Sequence, residues 1–368
     1  MSRMRRDNAK DAVANQIKKV ARNPIAKFGY RSKLVTGSGE KMTVREALLG
    51  TLTNNEKLVV LASALATHAL PDPANKLAEL ACEVASNYPA RFFGLGELLE
   101  DLVPTVHQLI AQGLKPLVLM GSTDLARSYA GLSALCSARS SVVFLMASGP
   151  EEKGTCSGQS INDLAILRTL LPLSIGVPSS PAELKRQLAV ALQSEEGPIA
   201  LHYSAIIPEM PLAKPTLAPL PGIGKAQMLH EGKGMAIVAL GAAVGPALAL
   251  ADELERLGHQ AAVIDTSWLR PLDEPLLTAI ANYFSRLITL ETGKLTAGFG
   301  AALLEMLETN NLHMVQVKRI SLEEYLTLDP TVMLERLLTD VNGFLEKAWQ
   351  EEGLVSSSLF HLHPSEAT

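Results

Sequence analysis

Met235-Ala-Ile-Val-Ala-Leu240 runs into Gly241-Ala-Ala-Val-Gly245 and then into the segment from Pro246 to Leu257, closed by Gly258. Six apolar residues in a row, with β-branched Ile237 and Val238 at their centre, fit a strand buried on both faces. Small residues make the turn, proline suits the first helical position, and glycine favours the stop. The stretch reads strand, turn, helix, the repeating unit of a parallel sheet covered by helices. Apolar runs at 261–265, 287–291 and 314–320 repeat the strand, so residues 233–350 are expected to form one three-layer domain. Residues 351–368 are expected to be a flexible tail.

The preceding half alternates in the same way. Thr43-Val-Arg-Glu46 is a capping box opening a helix toward Leu52, and 57–62 is an apolar strand. A helix over 74–86 leads to a strand at 91–94, then a helix, a strand at 115–120, a helix over 122–137 and a strand at 141–147. Ser180-Pro-Ala-Glu183 forms a second capping box, and 198–203 closes the domain as a strand. Pro208, Pro211, Pro215, Pro219 and Pro221 break all periodicity. The expected plan is an extension at 1–41, a domain at 42–205, a stiff linker at 206–232 and the domain at 233–350. The fold class is α/β: two consecutive three-layer α/β/α domains with mainly parallel sheets.

Composition removes several function classes. With 47% hydrophobic and 19% charged residues, the 368-residue chain is globular. A formal charge of -5 gives no general attraction to nucleic acid. No apolar run reaches the ~18–20 residues of a membrane span, and the N-terminus lacks the apolar core of a signal peptide, so a cytoplasmic protein is expected. Basic residues from Arg3 to Arg22 are interrupted by Asp7 and Asp11, which reads as a solvated extension. Cys82, Cys136 and Cys156 are odd in number and far apart, so neither a disulfide framework nor a metal site is expected.

Arg91-Phe-Phe-Gly-Leu-Gly-Glu97 ends a strand in two glycines and delivers a carboxylate to a helix start. The positive end of a helix favours an acid there, and strand ends of α/β sheets are where ligands bind. Glu100 and Asp101 beside it leave a solvated acidic face as the other reading. The polar loop 148–160 follows a strand and is long enough to carry function. His202, in Leu201-His-Tyr203, is a histidine in an apolar strand, a pattern that also suits a satisfied structural residue. Arg270 and Asp273 flank Pro271 as turn and cap residues. Glu291 with Gly298 and Gly300 reads as an anion site at a helix start or as a contact between copies.

Ile264-Asp-Thr-Ser-Trp-Leu-Arg-Pro-Leu-Asp273, Thr289-Leu-Glu-Thr-Gly293 and Ala297-Gly-Phe-Gly300 resemble, in this order, the C-terminal domain of the transketolase superfamily. Ala111-Gln-Gly-Leu-Lys-Pro-Leu-Val118, Ser122-Thr123 with Arg127 and Tyr129, and Val177-Pro-Ser-Ser-Pro-Ala-Glu183 are similar to the pyrimidine-binding domain of the 1-deoxy-D-xylulose-5-phosphate synthase family. The resemblance covers residues 42–350. It implies a thiamine diphosphate enzyme transferring two-carbon units. There a glutamate, matched here by Glu97, hydrogen-bonds N1′ of the aminopyrimidine and promotes deprotonation of the thiazolium C2, which needs a carboxyl group in a dry pocket. It also implies Ser122 on the cofactor side and Arg127 and His202 at a substrate phosphate.

The resemblance also marks departures. The family holds the diphosphate through Mg²⁺ on a separate N-terminal domain with a Gly-Asp-Gly motif, and these 368 residues contain none. The cofactor with Mg²⁺ is therefore expected only where a partner chain supplies that domain. Gly121 and Asp124 replace an aromatic pair, Ser157-Gly-Gln-Ser160 replaces a Thr-His-Gln-Gly run, and His202 replaces an arginine. Two readings stand: half of a split enzyme with a separate diphosphate-binding subunit, or an inactive paralogue acting as a dimeric binding or regulatory protein. Either is expected to be a homodimer.

Overall fold

The computed structural model describes residues 43–63, 76–95, 99–148, 162–204, 222–325 and 328–360. In the first domain α1 (Val44–Asn54) starts from a complete capping box: Thr43 Oγ1 accepts from Glu46 N at 3.2 Å and Glu46 accepts from Thr43 N at 2.7 Å. β1 (Leu58–Ser63), α2 (Lys76–Asn87), β2 (Phe92–Leu95), α3 (Leu102–Ala111) and β3 (Lys115–Met120) follow. Then come α4 (Ser122–Arg127), α5 (Tyr129–Ser137), β4 (Val143–Ser148), α6 (Asp163–Thr169), β5 (Ser174–Gly176), α7 (Pro181–Gln193) and β6 (Ile199–Ser204). The strands lie in the order β5-β6-β4-β3-β1-β2 and pair in parallel throughout.

Several expectations change here for local reasons. The helix beyond Glu97 begins only at Leu102, because Leu99 takes a left-handed φ of 54° and interrupts it. Glu97 is therefore not in the first turn of that helix, and residues 96–98 lie outside the described residues. The expected helix over 122–137 is two helices, broken at Ser128, whose Oγ donates back to Asp124 O at 2.6 Å. Ser180 accepts from Glu183 N at 3.2 Å, but the Glu183 carboxylate turns to Arg186, so only half of the second box forms.

In the second domain β7 (Gln227–His230), β8 (Met235–Ala239), α8 (Val244–Arg256) and β9 (Ala261–Asp265) lead to β10 (Trp268–Arg270). α9 (Glu274–Tyr283), β11 (Arg286–Glu291), α10 (Phe299–Thr309), β12 (Gln316–Ser321) and α11 (Pro330–Phe360) complete it. The sheet order is β12-β11-β8-β9-β7, parallel except for β7. β7 thus occupies part of the 206–232 segment read as linker, of which 205–221 lies outside the described residues. α11 continues to Phe360, into the segment expected to be a loose tail.

The two domains share structure. β10 leaves the second domain and pairs antiparallel with β5, becoming the seventh strand of the first sheet. A Cβ on Gly176 would lie 3.2 Å from Trp268 Cζ3 of β10 and 2.7 Å from Gln187 Oε1 of α7 and Leu201 Cδ2 of β6, so the glycine leaves room for all three. One apolar core runs from Val118, Phe144 and Ala200 of the first sheet to Val238, Ile264 and Phe299 of the second domain. The faces carrying Leu117, Leu145 and Leu201 instead pack under α1, α2 and α7.

Candidate functional site

Three polar side chains converge near the carboxyl ends of β3 and β6. β3 ends at Met120, and Gly121 leads to Ser122 at the start of α4. Side chains alternate across a strand, so with Ile199 and Leu201 in one core and Ala200 in the other, His202 faces the Ala200 side, toward α6. α6 opens with Asp163. Ser122 Oγ donates to Asp163 Oδ2 at 2.6 Å, and His202 Nε2 lies 3.4 Å from the same oxygen. The His202 and Asp163 side chains are 4% and 2% exposed. Among the described residues, Asp163 Oδ1 and His202 Nδ1 are buried without a hydrogen-bond partner. The hydroxyl donates to the carboxylate and not to the imidazole, so this is no nucleophilic triad, in which the ring must take the serine proton.

The structure therefore brings together two of the four residues singled out by sequence, Ser122 and His202, through a third that sequence reading missed. Asp163 did leave a signal, as a carboxylate closing the long polar loop. Arg127 is exposed, about 140° around α4 from Ser122, and so faces away from the cluster. Glu97 lies outside the described residues; Leu95, where β2 ends, and Leu99 are 3% and 5% exposed. At ~4.8 Å per strand, the end of β2 is about 10 Å from the end of β3 and about 19 Å from β6. Ser122 thus stands between the two flanks.

α6 also ties the cluster to the second domain. Arg168, which no sequence pattern marked, donates from Nη1 to Ala297 O at 2.9 Å and Gly298 O at 3.2 Å, and from Nη2 to Glu305 at 2.6 Å. Arg270 is a strand residue whose Nη1 donates to Leu170 O at 2.8 Å. Asp273 caps α9 and accepts from Ala226 N at 3.0 Å. Glu291 is fully buried, accepting from Phe299 N at 2.7 Å and from Gly300 N at 2.8 Å. Burial pushes its carboxyl up to about 7, with the two N–H donors and then Arg319 and Arg168 drawing it back. These first amides of α10 are thus filled by the chain's own carboxylate.

A second carboxylate pair lies where the domains meet. Asp265 accepts from Ser179 Oγ at 2.9 Å, Ser267 N at 2.8 Å and Ser267 Oγ at 3.0 Å, and burial raises its pKa. Glu183 is pushed up to about 7 by burial, with Arg186 lowering and Asp265 raising it further. Gln187 Nε2 donates to Ser267 O at 3.0 Å. Among the described residues no three His, Cys, Asp or Glu side chains group to hold a metal ion. No helix there is long and apolar enough to cross a membrane.

Residues 224–342, which hold the turn at Pro271 and the Glu291 helix start, match the family described as "Transketolase, C-terminal domain", so the chain carries a domain of the transketolase superfamily. More particularly, the chain is a relative of the 1-deoxy-D-xylulose-5-phosphate synthases. It is 35% identical to that of Thermomicrobium roseum over 284 residues, 76% of this chain and 43% of the synthase. It is 36% identical to that of Heliobacterium modesticaldum over 246 residues, 66% of this chain and 37% of the synthase. The chain thus spans about two fifths of the length of these relatives.

Among solved structures, one titled "Split gene transketolase, inactive beta4 tetramer" is 25% identical with a TM-score of 0.63, covering 80% of this chain and 96% of its own. The transketolase of Campylobacter jejuni shares the fold at 16% identity and a TM-score of 0.56, over 91% of this chain and 50% of its own.

Proposed function

We propose that this chain is the pyrimidine- and C-terminal-domain half of a split thiamine diphosphate-dependent transferase of two-carbon units, completed by a separate polypeptide carrying the diphosphate and Mg²⁺. The observation that carries the reading is the match to the split-gene transketolase over 96% of that chain. An inactive paralogue draws no support from the comparisons.

The residues present fit one end of the cofactor. Glu97, matched to the family's glutamate by sequence, is the residue that would meet the aminopyrimidine, a role that needs a carboxyl group in an apolar setting. The metal and diphosphate end is not fitted, since the chain has no Gly-Asp-Gly motif. Bound thiamine diphosphate would supply the carbon nucleophile that carries the two-carbon unit. Glu97 would hold a proton at N1′ of the aminopyrimidine, and Ser122, two strands away, would face the same carboxyl edge with its hydroxyl fixed by Asp163. Arg127, exposed and charged on α4 but turned away from Ser122, would meet a substrate phosphate only outside the Ser122–Asp163–His202 cluster. A homodimer in the cytoplasm is the assembly this reading expects, and a light-scattering mass near one chain counts against it.

The test is calorimetric titration of thiamine diphosphate with Mg²⁺ into the full chain, alone and with its co-purifying partner. Binding only in the mixture is expected. Tight binding by the chain alone, or none in any mixture, overturns the reading.

A further inference from the structure

We infer that Asp163 is a positioning residue that holds His202 with its proton on Nε2 and Nδ1 bare, so that this end of the first sheet takes a hydroxyl-bearing group and not a phosphate. An ionised carboxylate has lone pairs and no hydrogen to give. Asp163 Oδ2 already accepts from Ser122 Oγ at 2.6 Å, so the favourable partner 3.4 Å away on the ring is an N–H at Nε2. A neutral imidazole carries one such hydrogen, which leaves Nδ1 as an acceptor.

Two buried acceptors then remain unmet, Asp163 Oδ1 and His202 Nδ1. Buried polar atoms in folded proteins are nearly always paired, and an unmet one costs about 1–3 kcal/mol, so a donor reaching this pair would be held favourably. A phosphate brings only acceptors at full ionisation and would face the Asp163 carboxylate. Neither described arginine near this end offsets that charge: Arg127 is exposed on another face of α4, and Arg168 is committed to Ala297, Gly298 and Glu305. A hydroxyl donates to one acceptor and carries no charge to repel. The identity of the hydroxyl-bearing group as a substrate rests on the proposed function, whereas the state of the ring does not.

Long-range ¹H–¹⁵N spectra of the full chain labelled at histidine, with His202→Gln used to assign the signal, read the ring directly. The expected spectrum at neutral pH has Nε2 protonated and Nδ1 bare, and Asp163→Ala is expected to mix the two tautomers. Glycerol is expected to move the His202 signals and inorganic phosphate to leave them in place. A ring protonated at Nδ1, a tautomer unchanged in Asp163→Ala, or signals that follow phosphate and not glycerol overturn the inference. If Asp163→Ala does not fold, the wild-type spectrum decides. A bare Nδ1 without cofactor binding in any mixture sinks the functional reading alone. A protonated Nδ1 with such binding sinks this inference alone.

Discussion

Glu291 and Asp163 are both carboxylates at the edge of a sheet, 0% and 1% exposed, and they are satisfied very differently. Each oxygen of Glu291 accepts a backbone N–H of α10, and Arg168 secures the loop around it. Asp163 shares one oxygen between a hydroxyl and an imidazole and leaves the other unmet. A buried carboxylate whose two oxygens each accept from its own chain is a structural joint. One left short, beside a histidine equally short, is the place we propose as a site.

The largest expected effect tests the joint. In Gly298→Ala a Cβ would stand 2.2 Å from Glu291 Oε2 and 2.3 Å from the Lys294 carbonyl oxygen, which is backbone and cannot swing aside. Urea unfolding is expected to show a loss of about 4 kcal/mol or no folded protein. A variant within ~1 kcal/mol of wild type would mean that the helix start is not closed as described.

Glu183, at the meeting of the domains, adds a third carboxylate to the comparison. Its pKa rises from the ordinary 4.5 to about 7 in the folded chain, so the native state binds the extra proton between those values. The stability that proton gives is present below about pH 4.5 and is lost as pH rises to about 7. Glu183→Gln cannot ionise and is expected to flatten that slope by an amount on the order of 2–3 kcal/mol. Parallel slopes for wild type and variant in unfolding across that range would remove Glu183 from the account.

Glu291→Gln keeps the shape but points an amide at one of two N–H groups, and is expected to cost about 2 kcal/mol in the same assay. Asp163→Asn is expected to cost less than about 1 kcal/mol, because the carboxylate it replaces is incompletely satisfied. Equal costs at the two positions would erase the distinction between joint and site. Arg127→Ala, exposed on α4, is expected to stay within about 0.5 kcal/mol of wild type.

Elements bounded by local signals were legible in the sequence. β3 and β9 match their apolar runs, and Thr43 caps α1 as its spacing requires, since a buried strand or a capping box is written in adjacent residues. β5 was not legible, because three residues between Pro172 and Pro178 carry no measurable alternation. β10 was hidden for another reason: the pairing that makes it a strand lies in the other domain. The break at Ser128 follows from one side-chain hydrogen bond that propensity does not foresee. At the site, Ser122 and His202 were found as departures within a family pattern. Asp163 and Arg168 act through contacts 39 or more residues away, which no spacing rule reaches.

We propose that Glu97 activates a cofactor held partly by another chain. The most direct measurement is the rate at which the C2 hydrogen of thiamine diphosphate exchanges with deuterium oxide in the mixture of this chain, its partner and Mg²⁺. Glu97→Gln is expected to slow that exchange about 100-fold while calorimetry shows the cofactor still bound. Equal exchange rates with wild type and variant, at equal cofactor occupancy, would contradict the account.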